Sequence, residues 1–326
     1  MRISTFLPHV GVFGGVRRFL ELGNRWTFMG HAVTLYHPQG DPPAWLPYSG
    51  GVQPLAAAAG TVADLAITAD PHTYDAFRAH RAPRHLYYGV LEGDPGVARA
   101  ARDPAVTLAA NSSALRERLR RRYRRPVLDG IGGIDPDRFH PDPARRTPGR
   151  LRVLLNGRRS REKKGTDLIL RALAGIERGR PELEVVLFDH VDAHNRQDPR
   201  PGARLPSGAR FVLNPTQDEL VALYQSADVF VAAERKAGWC NTALEAMACG
   251  SAVACTPSGT GDFARDGVNA LVVRFRHPFF LRRAVRRLLD DSALRATLGA
   301  AGAASARAWS WEHLAAKLLE QLRDRA

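Results

Sequence analysis

"AGWCNTALEAMACGSAV", residues 237–253, changes character halfway through. Ala, Leu, Glu and Met dominate from Thr242 to Cys249 and predict a helix, which Gly250 stops before the short apolar segment of Ser251–Val253. The first half, Gly238-Trp239-Cys240-Asn241, predicts a loop. A loop that feeds a helix presents unpaired backbone N–H groups and a partial positive charge, for which a phosphate is a natural guest. Asn241 and Thr242 are placed to present those amides, and Glu245 follows one turn deeper. A carboxylate there suits two adjacent hydroxyls, as on a ribose; simple stabilisation of the helix N-terminus is the alternative.

Outward from this stretch, apolar segments alternate with helical ones. "RISTFL", "HAVTLYHP", "LAITA", "RHLYYGV" and "VTLAAN" predict strands, and "GGVRRFLELGNRWTFMG" and "SSALRERLRRRY" predict helices, the second with Ser112 or Ser113 as N-cap. Residues 132–150 then carry prolines at 136, 141, 143 and 148 and predict an interdomain linker. After it the alternation restarts with "LRVLLNG", "GTDLILRALAGI", "LEVVLFD", "ARFVLN", "TQDELVALYQSA", "DVFVAA", "TALEAMACG", "SAVAC" and "NALVV", and "WSWEHLAAKLLEQLRDRA" predicts a capped amphipathic helix. At 326 residues two cores are expected, since single cores stop growing near ~250–300 residues. The fold class is therefore α/β, with two doubly wound domains whose ligands bind at the carboxyl ends of parallel strands.

Two further segments carry candidate chemistry. In "LLNGRRSREKKGTDLIL" a strand ends at Asn156-Gly157, Arg158 follows, and Lys164-Gly165 opens a helix. This is either a solvated basic turn or an electrostatic clamp for a diphosphate. In "GVFGGVRRFL", Gly14-Gly15 lies between the first strand and first helix, as a tight turn or as backbone approached closely by a ligand.

The net charge is +14, yet only four of the 47 basic residues are lysine, a bias that a GC-rich coding sequence also produces. The one dense run, Ala114–Pro126, puts Leu115, Leu119 and Tyr123 on one helix stripe and arginines from Arg116 to Arg125 on the other side. That face is either simply solvated or docks peripherally on an anionic membrane. Nucleic acid is not expected, because no aromatic residues interleave the arginines. No apolar run reaches ~18 residues and no secretory leader is legible, so a cytoplasmic location is expected, with the inner membrane surface as a peripheral site. Cys240, Cys249 and Cys255 have neither disulfide nor zinc spacing.

In order along the chain, "GGVRRFLELGNRWTFMGHAVTLY", "LAANSSALRERLRRRY", "GGIDPDRFHP", "NGRRSREKKGTDLI", "TQDELVALYQSADVFVAAE", "TALEAMACGSAVAC", "DGVNALVV" and "SWEHLA" resemble the retaining nucleotide-sugar glycosyltransferases of family 4. The resemblance implies the GT-B fold, two facing Rossmann-like domains with a cleft between them. The implied segments are 1–147 (acceptor side), 148–308 (donor binding) and 309–326, a helix returning to the first domain. It implies transfer of a sugar from a UDP- or GDP-linked donor to an acceptor hydroxyl, with no cofactor and no metal. Arg158 and Lys164 would act on the diphosphate as the catalytic residues. Gly14, Gly15, Glu234, Asn241, Thr242 and Glu245 would contact the donor. A nucleotide-sugar epimerase and a non-catalytic basic surface-binding protein are the alternatives.

The sequence departs from the family at telling places. The first glutamate of the E-x7-E motif would stand at 237, which is Ala237, and Glu234 is the candidate substitute. Ser258-Gly259 replaces a Gly-Gly pair, with Asp262 as the following acidic residue. Leu91-Glu92 stand where a strand-ending histidine is expected, leaving His9, His72 and His85 as candidates. Asp135 and Asp137 form an apparent D-x-D that reads as a turn, and Asp189, His190, Asp192 and His194 read as a polar loop rather than metal ligands.

Overall fold

Strands that are apolar on both faces need cover on both faces, which parallel sheets between helices supply. The computed structural model, which describes residues 1–91 and 93–324, contains two such sheets, each in its own unit.

The first unit holds Met1–Gly133 and the chain from Trp309 onward. Its elements are β1 (Arg2–Phe6), α1 (Gly14–Phe28), β2 (Ala32–His37), β3 (Gly51–Pro54), β4 (Leu65–Thr68), α2 (Tyr74–Ala79), β5 (Arg84–Gly89), α3 (Pro95–Arg102), β6 (Val106–Ala110), α4 (Ser113–Tyr123) and β7 (Val127–Asp129). The sheet order is β3-β2-β1-β4-β5-β6-β7, parallel throughout. The chain leaves β1 toward β2 on one side, and β4 begins the opposite flank, so the β1/β4 boundary is the topological switch point.

The second unit, Ile134–Ala308, holds β8 (Leu151–Asn156), α5 (Thr166–Leu173), β9 (Leu183–Asp189), β10 (Arg210–Leu213), α6 (Gln217–Gln225), β11 (Val229–Ala232), α7 (Asn241–Ala248), β12 (Ala252–Cys255), β13 (Leu271–Val272), α8 (Pro278–Asp290) and α9 (Ser292–Ala306). Its parallel sheet runs β10-β9-β8-β11-β12-β13, with the switch point between β8 and β11. A full capping box opens α6: Thr216 and Glu219 satisfy each other's backbone N–H groups.

The last helix, α10 (Trp311–Arg323), belongs to the first unit. Trp26 on α1 is fully buried, and its indole Nε1 donates to the Ala315 carbonyl at 3.1 Å. Lys317 Nζ donates to Asp129 Oδ1 at 3.0 Å. Where the chain leaves this unit, Gly133 has φ +129°, and a Cβ there would sit 2.3 Å from the Trp311 ring. Glycine is thus required to let the return helix dock.

The expected linker is largely not one. The units divide at Gly133/Ile134 rather than at the expected 147/148. Phe139 is buried against the Tyr224 ring, 6.0 Å between centroids, and Arg146 donates to the Gly250 carbonyl at 2.6 Å. An aromatic residue inside a proline-rich stretch is enough to draw it onto a core. Asp135 Oδ1 accepts from the backbones of Asp137 and Arg138, which makes the D-x-D a turn.

The basic run also differs from its sequence reading. Leu115 and Leu119 are buried, as their spacing predicts, and Ser112 caps α4 through the Leu115 N–H at 3.3 Å. Arg125, however, donates to the carbonyls of Ala100, Ala101, Asp103, Pro104 and Val106, closing the end of α3. Arg116 pairs with Asp129 at 2.9 Å. Two of the presumed surface arginines are therefore structural. All three cysteines are buried and unpaired by disulfide, and burial pushes the Cys255 thiol up to about 12.

Candidate functional site

The loops leaving β8 and β11 meet at the switch point of the second sheet. Thr166, the first residue of α5, donates its hydroxyl to the carbonyls of Asn156 and Arg158, folding the first loop back on itself. Gly165 has φ +76°, and a Cβ would lie 2.2 Å from the Ala233 carbonyl oxygen. The Arg235 N–H donates to the Lys163 carbonyl at 2.8 Å, stitching the two loops together.

This close approach sets the side chains. Lys164 Nζ donates to Glu234 Oε1 at 2.6 Å, and the Glu234 side chain is buried. Burial disfavours the Lys164 ammonium, but the facing carboxylate outweighs it and holds the lysine above its ordinary value. Lys163 is held below its ordinary value, first by burial and then by repulsion from Arg161 and Lys164. The turn thus carries a local excess of positive potential. Arg158 is buried beside β9, with Nε donating to Asp189 Oδ1 at 3.0 Å and Nη2 to the His190 carbonyl at 3.2 Å. Burial pushes the Asp189 carboxyl up, with Arg158 opposing it.

The opening stretch completes the arrangement. The turn after β12 holds the loop before α7: Ser258 Oγ accepts from the Ala237 N–H at 2.9 Å, and Cys240 N donates to the Gly259 carbonyl at 2.8 Å. Ser258 thereby has a bond that the expected glycine could not make. Cys240 is the N-cap of α7, with its Sγ 3.5 Å from Glu234 Oε1. Asn241 and Thr242 form the first turn of α7. Glu245, on the same helix, is buried and accepts from the Tyr224 hydroxyl at 2.8 Å.

Arg158, Lys164, Glu234, Asn241, Thr242 and Glu245 all lie in the second unit, on the β8, β11 and α7 connections. Gly14 and Gly15 lie in the first unit, as the first two residues of α1 at that unit's own switch point. A Cβ on Gly15 meets nothing within 4 Å. Of the histidines, His9 is in the loop after β1, where its Nδ1 accepts from the Gly11 N–H at 3.1 Å. His85 is buried in β5 against Phe77, and burial lowers its pKa, so it is a packing residue. His72 is exposed beside Asp70. Leu91 is exposed, and Glu92 lies outside the described residues. Asp192 Oδ1 accepts from the N–H groups of His194 and Asn195, forming a polar turn. Among the described residues no group of three or more His, Cys, Asp or Glu is placed to hold a metal ion.

Sequence reasoning missed Arg276. Its Nε donates to the Ala233 carbonyl at 2.9 Å and its Nη2 to the Glu162 carbonyl at 3.3 Å, clasping both loops. Its place in "RFRHPFF" gives no periodic signal for that role.

The chain is similar to known proteins. The model of the family described as glycosyl transferases group 1 matches residues 141–305, half of the chain and all within the second unit. D-inositol 3-phosphate glycosyltransferase from Salinispora arenicola is 30% identical over 211 residues, covering 58% of this chain and 47% of the relative. GDP-mannose-dependent alpha-(1-6)-phosphatidylinositol monomannoside mannosyltransferase from Mycobacterium tuberculosis is 32% identical over 218 residues, covering 59% of this chain and 54% of the relative. The chain spans about half the length of the curated relatives it matches. Sucrose-phosphate synthase from Thermosynechococcus elongatus superposes with a TM-score of 0.78 at 18% identity, covering 99% of this chain and 98% of that one. Anabaena Alr3699/HepE, solved in complex with UDP-glucose, gives 0.76 at 15% identity, covering 99% of this chain and 100% of that one. These likenesses establish the fold, GT-B with two Rossmann-like units.

Proposed function

Since the chain belongs to the glycosyl transferases group 1, we propose that it moves a sugar from a nucleoside diphosphate sugar to an acceptor hydroxyl with retention at the anomeric carbon. The observation that carries this is the convergence of Lys164, Glu234, Arg158 and the N-terminus of α7 at one switch point. The bond between the anomeric carbon and the diphosphate oxygen breaks, and negative charge grows on the departing phosphates. Lys164, Arg158 and the amides at Asn241 and Thr242 stabilise that charge, supplying what a metal ion supplies elsewhere. Glu245 holds the ribose, and Tyr224 orients its carboxylate. Glu234 takes over from Ala237 toward the sugar hydroxyls while orienting Lys164. The second unit is the donor side and the first the acceptor side. The printed names of the relatives support both UDP- and GDP-linked donors.

Thermal unfolding with UDP, GDP and their sugar conjugates tests the donor. A nucleotide present at ~100 times its dissociation constant stabilises by about 2.7 kcal/mol, and no stabilisation by any of them would sink the reading. Lys164→Ala should cut turnover by roughly 100-fold or more, as loss of a preorganised charge stabiliser does. Glu234→Gln should weaken use of the nucleotide sugar while leaving binding of the nucleoside diphosphate nearly unchanged. Equal loss of both would reduce Glu234 to a support for Lys164.

A further inference from the structure

The segment that clasps the donor loops also carries the largest exposed aromatic cluster among the described residues. Phe275, Phe279 and Phe280 are 68%, 61% and 41% exposed. Their rings are contiguous, with Phe280 5.5 Å from Phe275 and 5.3 Å from Phe279. On α8 the inward face is Leu281, Val285, Leu288 and Leu289, all buried. Phe279, Phe280, Arg283, Arg286 and Arg287 occupy the outer face at helical spacing, and Arg274 precedes the cluster. Arg274, Arg283, Arg286 and Arg287 are exposed and have no ion-pair partner among the described residues. Asp290, further along α8, is taken by Arg180.

We propose that this face docks on an anionic lipid bilayer, with the three phenylalanines entering the headgroup boundary and the arginines holding anionic headgroups. Exposed aromatic rings in contact are costly in water and mark an interaction surface. Aromatic residues flanked by arginine suit the membrane interface. A second copy of this chain is a poor occupant, because a two-fold contact sets the patch against itself and opposes arginine to arginine. An anionic lipid surface has the complementary charge. The contrast with α4 supports the same choice: its exposed side carries arginines, its leucines face inward, and its one ring, Tyr123, is half-buried beneath Arg122. Arg276, between Phe275 and His277, binds the Ala233 and Glu162 carbonyls. Docking through this segment therefore anchors the bilayer next to the donor loops. The proposal stands on surface chemistry alone and does not depend on sugar transfer.

Co-sedimentation with vesicles tests it. The whole chain should bind vesicles of phosphatidylcholine mixed with phosphatidylglycerol, bind phosphatidylcholine alone far less, and release as salt rises. Combined Arg283→Gln, Arg286→Gln and Arg287→Gln should weaken binding roughly 100-fold. Combined Phe275→Ser, Phe279→Ser and Phe280→Ser should weaken it about tenfold or more. Arg118→Gln with Arg122→Gln on α4 should matter much less. All these side chains are exposed, so an unchanged unfolding temperature is expected and verifies folding. Absent or charge-independent vesicle binding overturns the proposal. So does loss confined to the α4 variant, or a dimer in sedimentation velocity that the phenylalanine variant dissociates.

Discussion

The two units repeat one topology and furnish its switch point differently. In the first, the loop after β1 makes backbone and aromatic contacts, while the buried ion pair Arg17–Glu21, 4.0 Å apart, lies within α1. The Trp45 indole donates to the Val10 carbonyl at 2.7 Å, His9 packs edge-on to Phe13, and Arg17 lies over the Trp45 ring at 5.2 Å. In the second, the equivalent loop after β8 is held by carboxylate–cation pairs, Arg158–Asp189 and Lys164–Glu234, and by a glycine wedged under the neighbouring strand. The doubly wound frame fixes where loops gather; the residues decide whether the place is lined by ion pairs or by packed aromatic contacts. Ionic groups kept at the strand ends are costly to bury, and the second switch point carries two such pairs.

Substitutions can break or sharpen this contrast. The largest effect is expected for Arg158→Ala, which strands Asp189, 1% exposed at its side chain, as a buried unpaired carboxylate. Urea denaturation should show a loss of about 3–5 kcal/mol, whereas replacing both partners by apolar residues should restore most of it. A loss no greater than that of a surface arginine would mean the pair is not buried in solution.

The glycines come next. Gly165→Ala meets both a left-handed backbone and the Ala233 carbonyl, so a destabilisation of roughly 2–4 kcal/mol is expected. Gly15→Ala lies in a helix with open space around it and should be neutral or stabilising by up to ~1 kcal/mol. If Gly15→Ala nevertheless impairs donor turnover at unchanged stability, the first unit's glycine serves ligand approach rather than its own fold.

The smallest effect concerns the first unit in acid. Burial acts to raise Asp129, but the Ile131 N–H and Lys317 outweigh it and hold the carboxyl below its ordinary range. Its stabilisation is complete above the unfolded carboxyl value and is lost as pH falls through the lower folded one. Melting curves from pH 5 down to pH 3 should show Lys317→Met less acid-sensitive than wild type, by no more than ~1 kcal/mol for a partly exposed pair. Identical acid profiles would remove Lys317 from the tie between α10 and β7.

Much of the frame was legible. Alternating apolar and helical segments gave five of the seven strands of the first sheet, β3 and β7 excepted, and all six of the second, and the loop before "ALEAMACG" does feed a helix, α7. Other features were not, for physical reasons. β7 is three residues long after Pro126, too short for a period to register. Lys164–Glu234 and Arg158–Asp189 join residues far apart in the chain, and pairing at that distance leaves no local pattern. Arg125 looked like one more surface arginine because its five carbonyl partners exist only once α3 and β6 are in place. Phe279 and Phe280 stand beside Leu281 in a short apolar run that carries no sign of which residues face inward until the helix orientation is known.

The return of α10 to the first unit sets an order of events during synthesis. Trp26 emerges from the ribosome early, yet its partner Ala315 emerges only after the whole of Ile134–Ala308. At ~5–20 residues per second, the first unit spends many seconds with the α1 surface uncovered while the second unit is made, and at Ala308 the second unit has every strand and helix of its own core. The later-made unit can therefore be finished first. The earlier one is the aggregation-exposed partner of the nascent chain until its last helix arrives.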